Sequence, residues 1–158
     1  QIQNRDPNLE TAKLLAAKWD PEFGKARDLQ TPYNELFADL VGVLYANDVM
    51  AMTDAMISPE MPEPDRVKTA YYGFARQYDL ATWNETEVHF YFAPVRAFIG
   101  EKFLHFPMTD VQKAAVIKKV YQSCLSEIQK YWNSSLALSN PSEANRSLID
   151  ALLKTHHP

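Results

Sequence analysis

Two acidic residues, Glu35 and Asp39, stand in an otherwise apolar run, Asn34-Glu-Leu-Phe-Ala-Asp39-Leu-Val-Gly-Val. A spacing of four puts both carboxylates on one face of a helix, about one turn apart, where like charges repel. Burying an unpaired carboxylate costs several kcal/mol, so a cation or a set of donors should face the pair. No Lys or Arg lies one turn away on the same helix, which leaves a metal, a histidine or an arginine brought from elsewhere in the fold. The plainer alternative is that both acids sit in the first turns of the helix, favoured by its dipole and wetted by solvent.

Few other residues carry chemistry. The four histidines are His89, His105, His156 and His157, and none has a histidine four residues away, so no His-Glu-x-x-His occurs. His105, in Leu-His-Phe-Pro-Met, reads as a loop or lid residue, and the last two as a frayed tail. Arg66 and Arg76 are candidates to face Glu35 and Asp39 or to bind a substrate carbonyl. Cys124 falls on the apolar face of a long helix and reads as packing; as the lone cysteine it excludes internal disulfides and multi-cysteine zinc sites. The clusters Tyr71-Tyr72-Gly-Phe74 and Phe90-Tyr91-Phe92 read as core. Sequons at Asn84, Asn133 and Asn145 carry little weight.

The elements that must position these residues are helices. Prolines punctuate the chain, and the four glycines, Gly24, Gly42, Gly73 and Gly100, are isolated, which excludes a phosphate-cradling loop and counts against hairpin-rich folds. Asp6-Pro7 opens a first helix, Pro21 and Gly24 interrupt it, and Thr31-Pro32 opens the next. Tyr33 to about Ile57 has almost no polar face at its centre and reads as a central buried helix. Three prolines between Ser58 and Asp65 predict a loop; the aromatic stretch at 71–74 follows as two or three helical turns, and 79–87 is turn-like. Val88–Phe103 is again apolar, with Pro94 near a helix start or at a kink. Thr109 and Gln112 form a capping box for the longest helix, to about Trp132, with Val111, Ala114, Ile117, Tyr121, Cys124, Ile128 and Tyr131 on its core face. Asn140-Pro141 with Glu143 opens a short last helix. The expectation is one all-α domain over 1–158, a bundle of about five to six helices, divided into 1–30 (N-terminal helix and linker), 31–57 (the helix with the acidic pair) and 58–158.

Composition narrows the function classes. The chain has 158 residues, 46% hydrophobic and 23% charged, enough for one core and too apolar for a disordered segment. With a formal charge of −4 and no Lys/Arg cluster, a nucleic-acid surface is not expected. No apolar run approaches the ~20 residues of a membrane span. The chain opens on Gln1 without a charged-then-apolar leader, from which a processed product or an excised piece of a longer protein is expected.

The string Asn34-Glu35-Leu-Phe-Ala-Asp39-Leu-Val-Gly42-Val-Leu-Tyr45-Ala46-Asn47 resembles the glutamate-bearing helix of the thermolysin-like (gluzincin) zinc metallopeptidases. In that family an Asn-Glu-x-x-x-Asp helix follows the one carrying His-Glu-x-x-His; its Glu is the third zinc ligand and its Asp orients a zinc-bound histidine. Downstream, Glu87-Val88-His89-Phe-Tyr-Phe-Ala-Pro-Val95 is similar to the segment whose histidine hydrogen-bonds the oxyanion formed when zinc-bound water attacks the peptide carbonyl. The family commonly backs that histidine with an aspartate a few residues upstream, where this chain has Asn84, Glu85 and Glu87.

The resemblance spans about residues 30–155. It implies the C-terminal helical lobe of a zinc metalloendopeptidase, with Glu35 as metal ligand, Asp39 behind a ligating histidine and His89 as the catalytic oxyanion donor. The zinc site is incomplete, because a catalytic zinc takes three protein ligands and this chain supplies one or two. The implied partners are an upstream His-Glu-x-x-His segment of the same precursor and a peptide substrate; an extracellular or periplasmic setting is implied by the family alone. Without that segment the chain is not expected to hydrolyse peptides. The competing expectation is a non-catalytic helical interaction or ligand-binding module, with both acids exposed. If the peptidase reading holds, His89 lies within about 10 Å of Glu35, the scale of a catalytic constellation.

Overall fold

A computed structural model describes residues 21–76, 78–134 and 140–154. They form six α-helices and no strand: α1 Pro21–Ala46, α2 Ala51–Met56, α3 Glu63–Thr69, α4 Ala93–Phe103, α5 Asp110–Ser134 and α6 Pro141–Lys154, with a 3-10 turn at Ala70–Tyr72. The fold is all-α, and no described helix is long and apolar enough to cross a membrane. The helix expected from Asp6-Pro7, the tail histidines His156 and His157, and the side chain of Asn133 lie outside the described residues.

The helix bearing the acidic pair begins earlier and ends earlier than the sequence pattern predicts. α1 starts at Pro21 and runs for 26 residues through Pro32. A proline inside a helix removes one ladder hydrogen bond, and here the packing of the following turns outweighs that loss. The helix stops at Ala46 because Asn47 adopts the left-handed conformation, φ 58°, which Asn tolerates better than most residues. The Asn47 side-chain oxygen accepts from the Met108 amide at 3.2 Å, tying this corner to the entry of α5. The apolar pattern beyond it belongs to the separate short helix α2.

α1 is also not buried all round. Leu36, Leu40, Val43 and Leu44 enter the core, whereas Asn34, Ala38, Val41 and Tyr45 face water, Tyr45 with 91% of its surface exposed. Behind the core face lie Val116, Val120 and Cys124 of α5 and Leu148 and Leu152 of α6, with Val95 and Ile99 of α4.

Two helix starts follow their local signals. The Thr109 amide donates to Gln112 Oε1 at 2.8 Å and the Gln112 amide to Thr109 Oγ1 at 3.3 Å, a reciprocal capping box. The Glu143 amide donates to Asn140 Oδ1 at 3.2 Å, with Pro141 at the first helical position. α5, at 25 residues, is one shorter than α1. Its core line runs through Val116, Val120, Cys124, Glu127 and Tyr131, while Val111, Ala114 and Tyr121 are exposed, Val111 at 80%. The polar Ser123 and Glu127 occupy buried positions that a count of apolar residues assigns to solvent.

The prolines of 58–65 are only partly in a loop, since Pro64 sits in the first turn of α3, and the aromatic stretch is the single 3-10 turn. Gly73 and Phe74 then turn back under α4. A Cβ on Gly100 would lie 1.7 Å from the Phe74 carbonyl oxygen, so glycine is what lets α4 rest on that backbone.

Candidate functional site

Glu35 and Asp39 share one face of α1, as their spacing requires, and they meet different partners. Asp39 is buried and receives the guanidinium of Arg96, a residue of α4 with no exposed surface. Arg96 Nε donates to Asp39 Oδ2 at 2.8 Å and Nη2 donates to the same oxygen. Burial pushes the Asp39 carboxyl above its ordinary value, the Arg96 charge and hydrogen bonds pull it back, and Glu35 adds a smaller upward push. Arg96 was not distinguished by sequence pattern. A single arginine in the apolar run Ala93-Pro-Val-Arg96-Ala-Phe-Ile-Gly100 was the signal, because such a charge requires a buried counter-ion.

Glu35 meets His89. The Oε2 of Glu35 lies 3.7 Å from His89 Nε2, and the two side chains are 34% and 41% exposed. His89 occupies the turn that feeds α4, where the Phe90 and Tyr91 amides both donate to the Glu87 carbonyl. Glu87 holds the histidine twice: Oε2 accepts from the His89 backbone amide at 3.0 Å, and Oε1 lies 2.6 Å from ring Nδ1. A carboxylate only accepts, so Nδ1 carries a hydrogen and Nε2 is the nitrogen turned toward Glu35. Glu87 thus contacts the imidazole from two residues upstream.

Tyr72, from the 3-10 turn, links the two pairs. Its ring centre is 5.8 Å from Arg96 Cζ and 5.8 Å from the His89 ring. Burial, followed by the charges of Glu87 and Asp39, raises the Tyr72 phenol above its ordinary value, so it stays protonated at neutral pH. Three carboxylates, Glu35, Asp39 and Glu87, therefore gather around one guanidinium and one imidazole.

The turn carrying His89 is set by Asn145 of α6, which is fully buried. Its Nδ2 donates to the Tyr91 carbonyl at 2.8 Å and the Pro141 carbonyl at 2.7 Å, and its Oδ1 accepts from the Val95 amide at 3.3 Å. Trp83 Nε1 also donates to the Tyr91 carbonyl, at 3.1 Å. In sequence Asn145 was visible only as a sequon; in the fold it is a clamp, and no glycan fits there.

The remaining candidates lie elsewhere. Arg66 donates to the Met61 and Pro59 carbonyls and Arg76 to the Val67 carbonyl, so neither faces the acidic pair. His105 is exposed in the turn before α5. Cys124 is buried, and its thiol is pushed up to about 12 by burial and by Glu127, which makes it inert at neutral pH.

Glu35 and His89 are the pair with metal-ligand chemistry at this site: one carboxylate and one imidazole, both partly open to water. Among the described residues no group of three or more His, Cys, Asp or Glu is placed to hold a metal ion. No family model, curated protein or solved structure matches this chain.

Proposed function

We propose that the chain is the C-terminal helical part of a zinc-dependent metallopeptidase, acting on peptides once a His-Glu-x-x-His segment of the same precursor is joined to it. The observation that carries this reading is the meeting of Glu35 and His89 at 3.7 Å from positions 54 residues apart in sequence. In this reading Glu35 is the third zinc ligand, and its partly exposed carboxylate, in a cluster with surplus negative charge, suits a divalent cation. When bound, zinc supplies Lewis-acid activation of water and of the scissile carbonyl.

The chain's own residues do the rest. Glu87 fixes the ring of His89, and Nε2, when protonated, donates to the oxygen on which negative charge develops, an effect worth about 3 kcal/mol for one oxyanion donor. Asp39 receives both Arg96 bonds on Oδ2, so its Oδ1 is the oxygen suited to orient a ligating histidine.

The test is to sequence the gene ahead of Gln1 and purify the chain with that segment attached. The expectation is a His-Glu-x-x-His helix, one zinc per chain, and peptide hydrolysis abolished by Glu35→Ala. A preceding segment without that motif, or full activity in Glu35→Ala, overturns the reading.

The second reading, a non-catalytic helical interaction or ligand-binding module, expects both acids in water, and Asp39 departs from it by being buried; what favours it is that Arg96 neutralises Asp39 from within the chain itself. It predicts zinc-free protein whatever precedes Gln1.

A further inference from the structure

Helix α5 carries two apolar seams. The inner one, with Val116, Val120 and Cys124, packs into the core. The outer one, Tyr121, Leu125, Ile128 and Trp132, recurs at spacings of four, three and four, the pattern by which one helix lies alongside another. Yet Tyr121, Leu125 and Trp132 are each at least 40% exposed. The outer seam borders α1, since the rings of Phe37 and Tyr121 are 5.6 Å apart. The bond from the Met108 amide to Asn47 ties the end of α1 to the entry of α5, so the two helices run antiparallel. The Trp132 end of the seam therefore points toward the start of α1 at Pro21.

The sequence that leads into Pro21 has the complementary pattern. Leu9, Ala12, Ala16 and Trp19 recur at spacings of three, four and three, flanked by Leu15, with Glu10, Lys13 and Lys18 between them. These residues lie outside the described ones. So short a helix is marginal by itself in water, where about 12–15 residues is the lower limit, and its apolar stripe needs a surface. Asp20-Pro21 is a cap followed by a proline at the first helical position, so only a tight turn separates the stripe from α1. Helices joined so closely lie antiparallel, which sets the segment parallel to α5 with Trp19 at the Trp132 end. The lengths agree: as helices, Leu9 to Trp19 spans about 15 Å and Tyr121 to Trp132 about 16 Å.

We propose that residues 9–19 of this chain are the occupant of the outer seam of α5, lying along it with Leu9 near Tyr121 and Trp19 near Trp132. The contact goes beyond the proposed function and does not depend on it.

The test uses the full 158-residue chain. In isotope-labelled protein, NMR should give nuclear Overhauser contacts from Leu9, Ala16 or Trp19 to Tyr121, Leu125 or Trp132. Trypsin then reads how firmly the segment is held, through cleavage after Lys13 and Lys18. Leu125→Glu puts a charge into the contact and should speed that cleavage roughly tenfold or more, the effect of losing the burial of one leucine. Val111→Glu, on the same helix but about 15 Å beyond Tyr121, should leave cleavage unchanged. Circular dichroism of both variants should match wild type, since both positions are exposed. Absence of the Overhauser contacts, or equal cleavage in Leu125→Glu and wild type, overturns the proposal. A dimer in sedimentation that Leu125→Glu disperses, with cleavage unchanged, assigns the seam to a second copy and overturns it as well.

Discussion

One turn of α1 separates two contacts, each between an acidic and a basic side chain, in opposite settings. Asp39 and Arg96 are out of water and joined by two hydrogen bonds onto one oxygen. Glu35 and His89 are about one-third and two-fifths exposed and stand 3.7 Å apart, outside hydrogen-bonding distance. Deep in the core a charge must be matched, and the match then fixes α1 against α4. At the rim the charge is already hydrated, so its partner is optional and its oxygens remain available to a ligand. The buried pair organises the fold and the open pair is the seat of the proposed chemistry; their closeness on one helix makes the first a foundation for the second.

The largest expected effect breaks the buried pair. Arg96→Met keeps most of the side-chain volume but leaves Asp39 in the core without its counter-ion, which costs about 3–5 kcal/mol in urea unfolding at pH 7. Adding Asp39→Leu should recover most of that loss, because a buried pair and an apolar replacement are often nearly equivalent. The single variant should also be pH-dependent. Arg96 is what holds the Asp39 carboxyl down against burial, so without it the folded value rises further above the ordinary 3.8. A raised folded value means that stability is present below the unfolded value and lost as pH rises through the folded one. The deficit of Arg96→Met against wild type should therefore shrink on acidification toward pH 4. A deficit below about 1 kcal/mol at pH 7 would mean that water reaches Asp39, and the contrast between the pairs would fail.

A middle-sized effect tests how the open pair is held. Asn145→Ala removes two buried hydrogen bonds from the turn between Tyr91 and Val95 and a third to the Pro141 carbonyl of its own helix, and should cost about 2–3 kcal/mol. Because His89 lies just ahead of that turn, its ring resonances should broaden more than those of His105. Equal behaviour of the two rings would show that Glu87 alone sets His89.

How far this was legible in sequence depends on the range of the physics. The caps at Thr109 and Asn140 are contacts over three residues, and they fall where the pattern puts them. The acidic pair on one helix face is likewise a local fact. The break at Asn47 was hidden because the apolar pattern continues across it, and only a backbone angle marks the end of the helix. The core face of α5 was misplaced because Ser123 and Glu127 are buried while Tyr121 lies at the edge, its ring 5.6 Å from that of Phe37. The Asp39–Arg96 pair spans 57 residues; Asp39 was read together with Glu35, and Arg96, a single charge in an apolar run, was not singled out. Matching such lone charges across helices would have found it.

The smallest effect belongs to the open pair and sharpens the contrast most. An exposed contact of this kind gains little, since solvent screens it and ordering two side chains costs entropy, so its worth is about 0–1 kcal/mol. Glu35→Ala and His89→Ala should each move the urea midpoint only slightly, and the double variant should be no worse than the sum. A residue that contributes so little to stability, in a helix otherwise given over to packing, is free to serve a ligand. If Glu35→Ala instead costs as much as Arg96→Met, Glu35 is a second structural carboxylate and α1 has no open site. If Glu35→Ala stays near zero in stability while it abolishes the peptide hydrolysis proposed for the joined chain, the same helix carries a structural charge and a functional one, separated by a single turn.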